Sequence, residues 1–336
     1  MTTEPFLVLD HARTQAALAD ADALGAALTR ALVAVARGEA STPPRIAART
    51  PQGLLGAMPG HVPGLGLAAK LITVFPDPDR AGRSTHRGLV AHFDERDGRL
   101  LAVLDAEPLT AVRTAVTATL ALRTLARPDA RRVAVIGTGT QAAAQLALLT
   151  GASRPRTAGR PAAGRRDFEV VVAGRTPAHA AATARRFGVA AAASVEEAVR
   201  GADAVLCCTG ADSPVISRKW LSRGAHVGSV GGSEGPELDA ATIRDASLFV
   251  EWAGAAAAAP PAGAHELQGV PAERVTLLGS VLAGSHPGRR EAAELTVFKS
   301  TGHAALDVAA ASVAYASASG STGAAAGEAE ASSAPF

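Results

Sequence analysis

The stretch VAVIGTGTQAAAQL, Val133–Leu146, constrains the fold of this chain more than any other. Four apolar residues, Val133 to Ile136, run into Gly137; a second glycine follows at Gly139, and an alanine-rich segment at helical spacing comes next. A strand that turns sharply into a helix fits this pattern. Gly137, Thr138, Gly139, Thr140, Gln141 and Ala142 match the order G-x-G-x-x-(G/A). There the first glycine makes the turn, the second lets a pyrophosphate approach the backbone, and the small last residue lets the helix pack closely. The helix N-terminus offers free N–H groups and the positive end of its dipole to the phosphates. Alone the motif is a weak signal. It gains weight because strand and helix alternate around and after it: strands at 132–136, 169–173, 203–209, 225–230 and 247–251, helices at 140–150, 177–187 and 195–200. That rhythm predicts an α/β fold with a Rossmann-type doubly wound parallel sheet.

The chain before Arg132 reads differently. Residues 14–37 read as one helix, with Ala17, Leu18, Ala21, Leu24, Leu28, Leu32 and Val35 on a broad apolar face. A Gly- and Pro-dense stretch then turns into the strand-like AAKLITVF. GLVAHFDERDGRLLAVLDA reads as two strands joined at Arg96-Asp97-Gly98, and LTAVRTAVTATLALRTLA as a long helix closed by Pro128. The segment 152–167 reads as a solvated, arginine-rich insertion, and 317–336 as a disordered low-complexity tail.

Composition narrows the function. A chain of 336 residues, 48% hydrophobic, suggests two domains. The net charge is only +2 and no basic stripe alternates with aromatics, which argues against nucleic-acid binding. No apolar run reaches the roughly 18 residues of a membrane span. The N-terminus carries Glu4 and Asp10 with no basic region, unlike a secretory signal. The only cysteines, Cys207 and Cys208, are adjacent and would point to opposite faces of a strand. No disulfide framework is possible, and a cytoplasmic location is expected.

The end of the second strand bears on which dinucleotide binds. An NAD site normally places Asp or Glu there for the ribose 2′-OH; here the residues are Gly174, Arg175 and Thr176. No carboxylate repels a 2′-phosphate, and Arg175 can pair with one. NADPH is therefore expected, with NADH possible if Arg175 is merely solvated. The spacing from Gly137 is long, and the 152–167 insertion accounts for the excess.

Only three of the 33 cationic residues are lysines, Lys70, Lys219 and Lys299, so each raises the question of why arginine did not serve. A lysine can shift its pKa and pass a proton; a guanidinium stays charged. Arg45, Lys70 and Arg113 lie in separate segments before the glycine-rich turn, and Arg113 sits in a helix of otherwise apolar and small residues. Buried cations need anions. Internal salt bridges would answer that need; the scarcity of obvious acidic neighbours makes a bound carboxylate the more attractive answer.

Five stretches carry a resemblance to the ornithine cyclodeaminase/mu-crystallin family: GAMPGHVPGLGLAAKLITVFP, STHRGLVAHFDERDGRLLAVLDAEPLTAVRTA, LARPDARRVAVIGTGTQA, GAHVGSVGGSEGPELD and ELTVFKSTGHAALDVAAA. They span about residues 43 to 315. The resemblance implies a homodimer in which a mixed α/β substrate-binding and dimerisation domain, 1–128 with 303–316, packs on a dinucleotide-binding domain, 129–302. By resemblance, Arg45, Lys70 and Arg113 match positions that hold the substrate carboxylate, with Ser233 and Thr301 also beside the substrate. Thr85, His86, Arg113, Thr140, Gln141, Arg175, Thr209, Val230 and Ser300 match cofactor contacts.

One departure matters. Cyclodeaminases of the family carry an aspartate in the loop after the fifth strand, where this chain reads Val230-Gly231-Gly232-Ser233-Glu234-Gly235. Ser233 stands at the aspartate's position, as serine does in the family's ketimine reductases. The missing ribose acid and the missing aspartate both point to NADPH-dependent reduction of a cyclic imino acid, of the Δ1-pyrroline-2-carboxylate or Δ1-piperideine-2-carboxylate type. Lys70 is the expected proton donor, and Arg45 and Arg113 would fix the substrate carboxylate. Four other readings stand beside it: an ornithine or lysine cyclodeaminase, an amino-acid dehydrogenase, an N-(carboxyalkyl) amino-acid forming enzyme, or a non-enzymatic small-molecule binder. For the cofactor, NADPH should bind at least about tenfold more tightly than NADH, ~1.4 kcal/mol. Arg175→Ala should remove most of that preference in a fluorescence titration; equal affinities in the native protein would refute it.

Overall fold

A computed structural model describes residues 5–75, 86–151, 168–232 and 235–320. The expected insertion at 152–167, Thr85, Ser233 and Glu234 lie outside the described residues, as does the tail beyond residue 320.

The chain opens with β1 (Leu7–Leu9) and two helices, α1 (His11–Ala17) and α2 (Ala21–Ala36). The single helix expected over 14–37 is thus divided. Asp20 caps a new start, its carboxylate accepting from the N–H groups of Asp22 and Ala23, each at 3.0 Å. Strands β2 (Ile46–Thr50), β3 (Gly53–Val62), β4 (Gly66–Val74), β5 (His86–Phe93) and β6 (Leu100–Asp105) follow. With β1 they make a six-stranded sheet in the order β1-β6-β5-β4-β3-β2. Only the β1–β6 pair is parallel.

The long helix α3 (Ala106–Leu125) leads into the second sheet. Its strands are β7 (Arg132–Ile136), β8 (Glu169–Ala173), β9 (Ala190–Ala191), β10 (Ala204–Cys207), β11 (His226–Ser229), β12 (Ser247–Val250), β13 (Val275–Leu277) and β14 (Thr296–Lys299). Interspersed are α4 (Thr140–Thr150), α5 (Pro177–Phe187), α6 (Val195–Val199), α7 (Ala240–Asp245), α8 (Gly254–Ala257) and α9 (Leu278–Leu282). All eight strands pair in parallel, in the order β13-β12-β14-β11-β10-β7-β8-β9. The five expected strands of the doubly wound sheet all form, within two residues of the expected bounds. Sequence reading gave no strand for β14, which inserts between β11 and β12.

From β14 the chain passes into the last helix, α10 (Ala304–Ala318), which returns to the first sheet. The expected tail start at 317 falls inside this helix: Ala316 and Ala318 extend it, and the Ser319 N–H still bonds the Tyr315 carbonyl. Alanines of α10 pack with Leu24, Leu28 and Leu32 of α2 and with Leu109 and Val116 of α3 in one core against the six-stranded sheet. The apolar faces of the parallel sheet form two further cores.

Strand alternation sends Ala68 and Lys70 of β4 to the face covered by α10. Leu67 and Leu71 go to the opposite face, which also shows Val8, Ile46, Leu55 and Leu89 to solvent.

Candidate active site

The two ends of the site are built where the sheets meet. In a doubly wound sheet, ligands bind beyond the C-terminal strand ends, where the strand order reverses. Here β8 lies on one side of β7 and β10 on the other, so the reversal falls at Gly137 and Cys208. Gly137 has φ +126°, and a Cβ there would lie 2.5 Å from the Cys208 carbonyl oxygen. Only glycine fits. A Cβ at Gly139 would meet nothing within 4 Å, so the backbone is bare where a pyrophosphate would approach. Gly139 is the N-cap of α4 and no side chain caps that helix, leaving its N–H groups free for phosphate oxygens. Ala142 is fully buried beneath. Thr138 borders the next loop: a Cβ on Gly174 would lie 3.1 Å from its Cγ2. Arg175 and Thr176 follow on the surface, and Arg175 makes no ion pair among the described residues. These features fit a nicotinamide dinucleotide.

A buried carboxylate organises the neighbouring loops. Glu237 Oε1 accepts from the Thr209 N–H (2.7 Å) and hydroxyl (2.6 Å). Its Oε2 accepts from the Ser229 hydroxyl (2.7 Å) and the Gly231 N–H (2.9 Å). One side chain thus ties the loops after β10 and β11, which include Val230. Lys299 braces them from below. Its ammonium donates to Ser229 Oγ and the Gly231 carbonyl, both at 2.8 Å, and pairs with Glu266 at 3.0 Å.

Glu251, just past β12, fastens the crossing from β14 to α10. Its Oε1 accepts from the Ser300 hydroxyl (3.1 Å) and from the N–H groups of Thr301 (2.7 Å) and Gly302 (2.6 Å). Burial raises its pKa. Arg45 reaches the same segment from the first sheet, donating through Nη2 to the carbonyls of Gly302 (2.9 Å) and Thr301 (3.5 Å). The Trp252 indole donates to Thr301 Oγ1 (3.0 Å), and its ring stacks on His303 at 5.2 Å. Burial pushes the His303 pKa down to about 4, so this imidazole is neutral at pH 7.

The cations expected to hold a substrate carboxylate do converge, but with a partner that sequence reading did not name. Asp307 of α10 lies 2.9 Å from Lys70 Nζ through Oδ2, and Oδ1 accepts from Arg113 Nε at 3.1 Å. The three side chains are 1–4% exposed. Internal pairing, the alternative weighed above, therefore holds for Lys70 and Arg113. It does not exhaust the site. Among the described residues Arg113 pairs through Nε, and its Nη2 would lie 3.1 Å from a Cβ on Gly302, so the guanidinium fits against that residue because it has no side chain. Arg45, Lys70 and Arg113 outnumber Asp307 and Glu251, which suits an anionic ligand. Burial, first of all, lowers the Lys70 pKa; Arg113 and Arg45 lower it further and Asp307 opposes them.

Of the other expected site residues, Ser300 and Thr209 have their hydroxyls engaged by Glu251 and Glu237, and the Gln141 side-chain oxygen is buried with no partner among the described residues. His86 opens β5, but its side chain is outside the description, as are Thr85 and Ser233. Asp307, Glu251, Glu237, Trp252 and His303 are site residues beyond those expected from the sequence. Asp307 gave the same signal as Arg113, a lone charge in a helix of small apolar residues, AALDVAAASVAYA.

A Rossmann-type sheet with a bare glycine turn, together with the buried Lys70 and Arg113 and the half-buried Arg45, fits a dinucleotide-binding protein with a site for a small anionic ligand. The chain belongs to the ornithine cyclodeaminase/mu-crystallin family, whose sequence profile matches residues 7–322. It is 32% identical to the ketimine reductase mu-crystallin of Mus musculus over 269 residues, 79% of this chain and 80% of that one. It is 33% identical to a Δ1-pyrroline-2-carboxylate reductase of Paracoccus denitrificans over 275 residues, 77% of this chain and 81% of that one. Among solved structures, an archaeal alanine dehydrogenase dimer with bound NAD superposes with a TM-score of 0.79 at 28% identity, covering 94% of this chain and 97% of that one.

The Glu237 hub yields a test. Glutamine at 237 turns one acceptor oxygen into a donor, which faces either the Thr209 pair or the Ser229 and Gly231 pair. Glu237→Gln should weaken cofactor binding about tenfold, ~1.4 kcal/mol. Unchanged affinity by isothermal titration would show that these loops do not shape the cofactor site.

Proposed function

We propose that this chain reduces a cyclic imino acid of the Δ1-pyrroline-2-carboxylate or Δ1-piperideine-2-carboxylate type, with NADPH as reductant. The observation that carries the reading is the buried Lys70 ammonium, 2.9 Å from Asp307 and with its pKa lowered by burial and by Arg113 and Arg45, in a chain whose second sheet carries the dinucleotide turn. Two reductases at 32–33% identity support it. The bound cofactor supplies hydride. The chain's own residues do the rest. The free Nη groups of Arg113, with Arg45, hold the substrate carboxylate and so fix which face of the C=N bond is presented. Lys70 gives a proton to the imine nitrogen, a step a guanidinium could not perform. Trp252 and the neutral His303 stack on each other beside Thr301, and in this reading they shield the site from water. Exposed Arg175, with no acid at Gly174 or Thr176, supports NADPH over NADH.

The reading includes a homodimer, and a division of the chain into 1–128 with 303–316 and 129–302. The uncovered apolar face of the six-stranded sheet supports the dimer: Val8 is 60% exposed and Ile46 69%. A second copy laid on that face would bury it and protect the sheet edges.

Two measurements test this. Native protein should oxidise NADPH when given the cyclic imine, and Lys70→Arg should lower kcat on the order of 100-fold while changing apparent KM far less. Ammonia release from ornithine with catalytic NAD, and no imine-dependent oxidation, would refute the reading. Light scattering should give a dimer at micromolar concentration, and Leu71→Glu should dissociate it; a native monomer would rule the dimer out.

A further inference from the structure

We infer that Asp307 is the positioning residue that fixes the Lys70 ammonium and sets how readily it releases its proton, an inference that rests on the reductase reading. The geometry gives each carboxylate oxygen one cation: Oδ2 lies 2.9 Å from Lys70 Nζ and Oδ1 3.1 Å from Arg113 Nε. The shared carboxylate therefore orients the proton donor and the carboxylate clamp together. It also leaves the Arg113 Nη atoms, packed against Gly302, for a ligand.

The surroundings of Lys70 make Asp307 the deciding charge. Across β3 and β5, its register partners are the uncharged Met58 and Val90. From α3 and the segment before β2 come Arg113 and Arg45, both cations. From α10 come Asp307 and His303, whose imidazole is neutral. Glu251, past β12, acts on Arg45. Burial and two arginines drive Lys70 toward the neutral amine, and Asp307, alone among the charged neighbours in the described residues, favours the ammonium.

The step it serves is balanced. Hydride from NADPH reaches the C=N carbon, the C=N π pair passes to nitrogen, and a Lys70 N–H bond breaks as the amine N–H forms. The neutral Lys70 then takes a proton from solvent. A lysine with an ordinary pKa would give up its proton too reluctantly; one without Asp307 would hold it less firmly than the native residue does.

The scarcity of lysine makes this directly measurable. With lysine labelled at 13Cε the protein shows three side-chain signals, and Lys219→Arg at an exposed position removes one for assignment. In Asp307→Asn the Lys70 midpoint should fall by at least about one pH unit from its native value. The alkaline limb of kcat/KM for imine reduction should move the same way, a shift that a merely structural role would not produce. An unmoved midpoint overturns the inference. If Asp307→Asn does not fold, Asp307→Glu displaces the carboxylate by one methylene: a displaced Lys70 midpoint supports the inference and an undisplaced one overturns it. Native protein that oxidises no NADPH with any imine refutes the reductase reading, and the proton-donor role falls with it. Imine reduction by native protein with an unmoved Lys70 midpoint refutes the Asp307 role alone.

Discussion

The contact on which the structure depends is the pairing of Asp307 with Lys70 and Arg113. It joins three elements that arrive from distant parts of the chain: a strand of the first sheet, the helix between the sheets, and the last helix. The Arg113–Asp307 bond alone closes a separation of 194 residues. Removing one member of such a buried group costs about 3–5 kcal/mol, because a charge is left without a partner in a poorly solvated interior. The same group supplies the cations of the site, so folding and ligand binding draw on one set of charges. A protein core this rich in alanine along α10 could pack in several registers, and the paired charges select one.

The second constraint is the carboxylate of Glu251. Ser300, Thr301 and Gly302 form the crossing between the parallel sheet and the helix that closes the first sheet, and Glu251 holds them while Arg45 grips the same segment from the other side. Glu237 and Lys299 do the equivalent at the cofactor end. The loops after β10, β11 and β14 are fixed by buried charges with several partners rather than by packing alone. That suits a site that must hold two ligands in register, since hydrogen-bonded groups in a dry interior resist displacement.

The dinucleotide half was legible because its signals are local. A strand, a turn that only glycine permits, and a helix lie within fourteen residues, Val133–Leu146. The substrate half was half legible. Arg45, Lys70 and Arg113 stood out as charges in apolar surroundings, but nothing in the spacing tells which acid meets which base across the fold. Strand β14 escaped because four residues, Thr296–Lys299, between loop segments have no periodicity to read. The division of the first helix was hidden because the apolar stripe continues past Asp20. The scarcity of lysine proved informative: two of the three, Lys70 and Lys299, are at most 4% exposed and make short contacts in the site.

The crossing at Thr301 and Gly302 is anchored through main-chain N–H groups, and every residue except proline supplies one. At Thr301 the anchor is therefore indifferent to the side chain it carries, whereas Gly302, at φ +76° and packed on the Arg113 guanidinium, must stay glycine. Thr301 and His303 can be exchanged at the cost of their contacts with Trp252 but without losing the bonds of Glu251 to the main chain, so this part of the site can change its chemistry while the frame stays put. Mutational drift at these two positions is the cheapest route by which a scaffold like this could acquire a new ligand, and descendants that differ in what they accept would still share one unaltered backbone.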